Sequence, residues 1–243
     1  MNGDNMVGLV LEGGGVKGSY QVGAYYAFKR CGVKFDGVVG TSIGSFNGAM
    51  IAAKKEKQLL KFWRKAEIGK VLGFSDKYIK TMNSDSSNIE KMYEGSKNLI
   101  RILINKGIPI DGLRKVLDTY LSEDLIRNSK MDYGLATVRA KDLKHFYMFK
   151  EDIPEGKMFD YIISSCYLPV FKMERIIDGD FYLDGGLYDK SPSNMLENKN
   201  YDKIYIVALN AIGFSRKKLN KSEIIEINPS RDLGKILNIN KKK

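Results

Sequence analysis

Two apolar runs near the N-terminus, residues 6–11 and 35–39, each pass into a glycine-rich turn and then into a stretch with helical spacing. That double pattern of strand, tight turn and helix constrains the fold more than anything else in the chain. A strand that returns parallel to its predecessor needs a crossover, and a helix supplies it while covering one face of the sheet. The expected class is therefore α/β, with a mainly parallel central sheet and helices on its faces. The first turn reads Gly13-Gly14-Gly15-Val16-Lys17-Gly18 and leads into a helix over 20–30. The second reads Gly40-Thr41-Ser42-Ile43-Gly44 and leads into a helix over 43–53, whose small residues allow close packing on the sheet.

Further along, residues 58–130 read as largely helical, with a polar stretch at 75–88. Segments 99–104 and 113–121 mix apolar and charged residues at helical spacing, as helices packed on the core do, or a cap that covers substrate. Strand patterns return at 133–139 and 143–149, where Leu143, His145, Tyr147 and Phe149 share one face by alternation. A helix over 158–166 follows, then a hairpin within 171–183 around Asp178-Gly179, running into Asp184-Gly185-Gly186. Residues 204–209 and 224–227 complete the expected strands. The 243 residues form one domain, 1–243, with a helical cap segment at about 58–130.

Charge narrows the partners. Lys and Arg number 40 against 29 Asp and Glu, a net +11, which favours anionic partners. The lysines are scattered, only Lys241, Lys242 and Lys243 cluster, and no helix-turn-helix or RNA-recognition pattern is present, so nucleic acid is not expected. An anionic membrane surface, touched peripherally, fits better. No apolar run approaches the ~20 residues of a spanning helix, and the N-terminus has no signal-peptide pattern. Cys31 and Cys166 are too few for a disulfide framework or a thiolate metal site, and they agree with a reducing, cytoplasmic setting.

The two turns carry chemistry. Gly-x-Ser-x-Gly between strand and helix is the pattern of a nucleophile elbow, which leaves the Ser42 hydroxyl at the tip of a sharp turn. The first loop fits Gly-x-Gly-x-x-Gly, yet no acidic residue closes the second strand to hold a ribose, and no Lys-Ser or Lys-Thr pair follows Gly18 as a phosphate loop requires. Its backbone N–H groups suit an oxyanion instead, with Gly14 and Gly15 the expected donors. A serine needs a base, and the only histidine, His145, lies in a strand among apolar neighbours. Asp184 is the better candidate: it ends a strand, and Gly185-Gly186 lets the chain turn tightly behind it. To act near neutrality its pKa must be raised by burial.

These three motifs, in this order, resemble those of the patatin-like phospholipases, and residues 164–171, Ser-Ser-Cys-Tyr-Leu-Pro-Val-Phe, resemble that family's segment ahead of the aspartate. The resemblance runs from Met6 to about Leu237. It implies a three-layer α/β/α patatin-like fold and a Ser42–Asp184 dyad without histidine. It further implies an oxyanion hole from Gly13, Gly14, Gly15, Val16, Lys17 and Gly18, supported by Gly40, Thr41, Ile43, Gly44, Gly185 and Gly186. The implied substrates are phospholipid or other lipid esters, cleaved through an acyl-enzyme with no metal and no cofactor. Relatives in the family commonly run on past the point where this chain stops at Lys243, so a C-terminal element is expected to be missing. The same serine would also serve an acyltransferase, and a lipid- or dinucleotide-binding module without catalysis is the third alternative.

Overall fold

A computed structural model describes residues 5–64 and 107–233. Its sheet contains β1 (Val7–Leu11), β2 (Gly37–Thr41), β3 (Asp132–Arg139), β4 (His145–Phe149), β5 (Tyr182–Asp184), β6 (Lys203–Val207) and β7 (Glu223–Ile227). The order across it is β4-β3-β2-β1-β6-β7, with β5 paired to β3. Every pairing among β3, β2, β1, β6 and β7 is parallel, and only β4 and β5 run against β3. Both faces of the central strands are covered, which is why β1 is an unbroken apolar run rather than an alternating one.

The helices among the described residues are α1 (Ser19–Arg30), α2 (Ile43–Ala52), α3 (Glu56–Arg64), α4 (Asp111–Tyr120), α5 (Glu123–Arg127), α6 (Met158–Ser165) and α7 (Ser193–Asn198). Alternation divides the strands between two cores. Leu9, Leu11 and Val38 face the larger one, filled by Val22 and Tyr25 of α1, Phe46 and Met50 of α2, Leu59 and Phe62 of α3, Leu113 and Leu117 of α4, and Ile162 and Ile163 of α6. Val10 and Val39 face a smaller core made by Met195 and Leu196 of α7 with Tyr201, Ile204 and Ile206. The result is the expected α/β/α sandwich, with unequal helical layers. Every residue of α2 is buried, so this helix is the centre of the larger layer.

Most predicted elements lie within two residues of those observed. The strand expected at 143–149 begins only at His145, because Leu143 takes a left-handed φ of 54° in the preceding turn and is largely exposed. Of the hairpin expected within 171–183, only the tip forms: Ile177 bridges Asp180 across Asp178 and Gly179, both at positive φ. Phe171 instead bridges Ile108, far away in sequence. The polar stretch at 75–88, the segment at 99–104 and the lysine tail lie outside the described residues. On either side of 65–106, α3, α4 and α5 pack into the larger core through Leu59, Phe62, Leu113, Leu117 and Ile126.

β3 acts as the ruler that sets the site. Thr41, the last residue of β2, pairs with Ala136, while Asp184, the last residue of β5, pairs with Thr137. β4 occupies the other edge of β3 along this stretch, so β5 must continue the edge that β2 leaves. Two strands running in opposite directions thus meet end to end at Ala136 and Thr137. Ser42 and Asp184 are the residues at that junction.

Candidate active site

Ser42 sits between β2 and α2 with φ 56° and ψ −130°, a conformation that costs a non-glycine residue about 1–3 kcal/mol and is found where a site requires it. The turn is held on every side. Ser42 N–H donates to Ser165 Oγ (2.9 Å), and Ser165 Oγ donates to Ala136 O (2.7 Å). Ser42 O accepts the Ser45 hydroxyl (2.7 Å) and the Ser45 N–H (2.8 Å). Glycine is required at both flanks, because Gly44 lies against the end of β1 and Gly40 against the first turn of α2. A Cβ on Gly44 would lie 2.0 Å from Leu11 O, and one on Gly40 2.4 Å from the Gly44 carbonyl. Thr41 Oγ1 donates to Asp189 O (2.8 Å), tying the elbow to the loop after Asp184.

Asp184 is 4% exposed. Burial raises its pKa to about 6 from the ordinary 3.8, against the opposing pull of the Ser42 hydroxyl and the Gly186 N–H. Oδ1 accepts Gly186 N–H at 2.8 Å. Oδ2 is buried without a partner in full hydrogen-bond geometry, so the contact with the Ser42 hydroxyl is a loose one, as is common before substrate binds. Chemically, this places a hydroxyl against a desolvated carboxylate whose proton affinity is close to what neutral-pH base catalysis needs. One short segment fixes both groups: Ser165 takes the Ser42 N–H, and Tyr167 O accepts the Asp184 N–H (2.9 Å).

Ser165 therefore yields a prediction. Ser165→Ala leaves a buried N–H on Ser42 and a buried carbonyl on Ala136 unpaired, at about 1–3 kcal/mol of stability. Catalysis should fall in kcat with KM little changed, since the elbow loosens while the substrate surface stays. Chemical denaturation with steady-state kinetics on one preparation measures both, and unchanged stability would show that another group takes over these bonds.

The glycine loop passes close to the elbow, and a Cβ on Gly13 would lie 3.3 Å from Ser42 Cβ. Its donors are fewer than the motif suggests. Gly13 N–H donates to Lys190 O (2.9 Å), and Lys17 N–H donates to Gly14 O (3.3 Å). The N–H groups of Gly14, Gly15 and Val16 make no hydrogen bond among the described residues. Lys17 carries its charge away from the loop, donating to Leu209 O and Asn210 O at 3.2 Å each. Gly18 is a packing residue: Asn47 donates to its carbonyl at 3.0 Å, and a Cβ there would press on Ile43 at 2.8 Å. Ile43 begins α2 under this loop, while Gly185 lies so close to β3 that a Cβ would sit 2.2 Å from Ala136 O.

Glu12 went unrecognised in the sequence. It is buried, accepts Leu209 N–H at Oε2 (2.6 Å) and meets Lys190 Nζ at Oε1 (2.8 Å). Lys190 Nζ also donates to Ala211 O (2.9 Å), so this pair joins the glycine loop, the aspartate loop and the end of β6. Asp189 is buried too, accepting the Tyr147 hydroxyl (2.6 Å) and Ser191 N–H (3.1 Å). The only hint of these roles was acidic residues abutting apolar runs and glycines, a signal shared by ordinary turns.

His145 stands apart, exposed on β4 and stacked on the Tyr188 ring, with centroids 3.7 Å apart and planes 6° from parallel. Partial burial and the nearby Arg216 and Lys144 charges lower its pKa. It bonds neither Ser42 nor Asp184. No three His, Cys, Asp or Glu side chains among the described residues group to hold a metal ion.

Comparison with known proteins places this arrangement in context. Residues 9–196 match the profile of the patatin-like phospholipases. Lysophospholipase NTE1 of Pyricularia oryzae is 40% identical over 208 residues, which cover 85% of this chain and 12% of that protein. Patatin-like phospholipase domain-containing protein 6 of Homo sapiens is 44% identical over 66 residues, 26% of this chain and 5% of that protein. The chain thus spans only a small part of the length of the curated relatives it matches. The crystal structure of VipD from Legionella pneumophila superposes with a TM-score of 0.53 at 16% identity, covering 86% of this chain and 51% of that one. At that identity the likeness is one of fold.

Proposed function

The chain belongs to the patatin-like phospholipase family, and from that premise we propose that it is a lipid acyl hydrolase working through a Ser42–Asp184 dyad. The observation that carries this reading is the buried Asp184 carboxyl, raised to about 6 and facing the hydroxyl of a strained Ser42. Asp184 takes the Ser42 proton as Oγ attacks the ester carbonyl, and the negative charge moves to the carbonyl oxygen. N–H groups of Gly14, Gly15 and Val16 are the donors available to that oxyanion, each worth about 3 kcal/mol in such sites. Collapse expels the alcohol, which leaves with the proton from Asp184. Water then gives its proton to Asp184 and attacks the acyl-enzyme, and the free acid departs as Ser42 regains its hydrogen. The substrate class, carboxylic esters of phospholipids and lysophospholipids, is suggested by the names of the relatives.

A fluorophosphonate probe tests the nucleophile directly. Labelling is expected at Ser42, absent in Ser42→Ala and undiminished in His145→Ala. Its rate should climb as pH rises through about 6, where Asp184 ionises. Undiminished labelling of Ser42→Ala would remove the proposal. Loss of labelling in a folded His145→Ala protein would replace the dyad by a triad.

A further inference from the structure

The segment that follows β6 shows apolar side chains to solvent with no apparent structural need. Ile212 is 92% exposed, Phe214 66% and Leu219 42%. Its backbone is nevertheless well anchored. Phe214 N–H donates to Gly186 O (3.0 Å) and Lys190 N–H to Phe214 O (2.7 Å), while Leu219 and Lys221 donate N–H to the buried Glu197 carboxylate (3.2 and 2.9 Å). Leu187, 47% exposed, lies in the turn that the first two bonds close. These side chains are thus displayed by an ordered loop, and clustered exposed apolar groups of this kind mark a contact surface.

We propose that Leu187, Ile212 and Phe214, with the basic run beside them, dock the protein on an anionic phospholipid bilayer; the purpose assigned to this docking rests on the hydrolase reading. Charge selects this occupant. Arg216, Lys217, Lys218 and Lys221 follow the apolar tip, and residues 211–222 contain no acidic residue. Of the carboxylates that meet the segment, Glu197 is buried under its backbone and Glu226 pairs with Lys218 at 3.4 Å. Apolar side chains entering the acyl boundary, with cations held at the headgroups, are the arrangement of an interfacial anchor. A few residues on a narrow loop do not make the roughly 800 Å² per partner of a stable protein interface. Gly186 connects this loop to the chemistry: its N–H bonds Asp184 and its carbonyl bonds Phe214. Docking here therefore brings the aspartate loop to the lipid surface.

Vesicle flotation of the full chain tests this, using phosphatidylcholine with and without phosphatidylglycerol. The wild type should float with the anionic vesicles, less so as salt is raised. The double variant Ile212→Glu, Phe214→Glu should partition about tenfold more weakly or worse, while hydrolysing a water-soluble short-chain ester at the wild-type rate. Ser42→Ala should float like the wild type, so docking stands or falls separately from catalysis. Equal flotation of the double variant and the wild type would overturn the assignment. So would a wild type that ignores both vesicles, or one that self-associates in sedimentation through these same side chains.

Discussion

Asp184→Asn is expected to make the folded protein more stable at neutral pH while removing most of its ester hydrolysis. The carboxyl is held at about 6, above the ordinary 3.8, with desolvation as the largest cause. An acid whose folded pKa is raised binds its proton more tightly in the native state. Its contribution to stability is full below about pH 4, declines as pH rises, and is lost above about pH 6, a difference of about 3 kcal/mol. Asparagine keeps an oxygen for the Gly186 N–H and carries no charge, so the variant escapes this cost. Urea unfolding should show a gain of up to about 3 kcal/mol at neutral pH, shrinking towards zero in acid. Activity should fall on the order of 10³-fold or more, because the amide cannot take the serine proton. A stability difference that ignores pH would show that the carboxyl is not desolvated, and near-normal turnover would show that the base lies elsewhere.

Lys190→Met is expected to be among the most destabilising single changes that leave Ser42 and Asp184 untouched. It strands the buried Glu12 carboxylate, whose ion pair at 2.8 Å is broken. Breaking a buried pair from one side costs about 3–5 kcal/mol. Because Lys190 is itself partly exposed, with 23% of its side chain accessible, the lower end of that range applies. The double variant Glu12→Gln, Lys190→Met should recover much of the loss, since no charge is then buried alone. Denaturation of the two single variants and the double variant forms a cycle that isolates the coupling. A double variant no more stable than Lys190→Met would mean that Lys190 acts through its bond to Ala211 O rather than through Glu12.

The motifs were legible because their physics is local. A left-handed Ser42 flanked by Gly40 and Gly44, and an apolar run leading through Glu12 into three glycines, are written in adjacent residues. The one histidine, expected among the apolar side chains of a strand, lies on β4 and stacks on Tyr188. Where reading fell short, the cause was a contact between distant segments. Gly13 and Lys17 belong to the glycine motif, yet Lys190 O takes the N–H of the first, and the ammonium of the second turns to Leu209 and Asn210. Leu143 alternates correctly with His145 and Tyr147, but the tight turn before β4 claims it.

From sequence alone came the α/β class, the order of the strands along the chain and the identities of the elbow and the glycine loop, since apolar period, glycine and turn chemistry act over a few residues. Tertiary structure alone decided that β2 and β5 meet end to end on β3, that Ser165 and Tyr167 hold the backbones of Ser42 and Asp184, and that Glu12 and Lys190 bind three loops together. The reason is desolvation and register. The Asp184 carboxyl is raised to about 6 chiefly because the fold removes water from around it, and the ends of β2 and β5 face each other because β3 sets both registers.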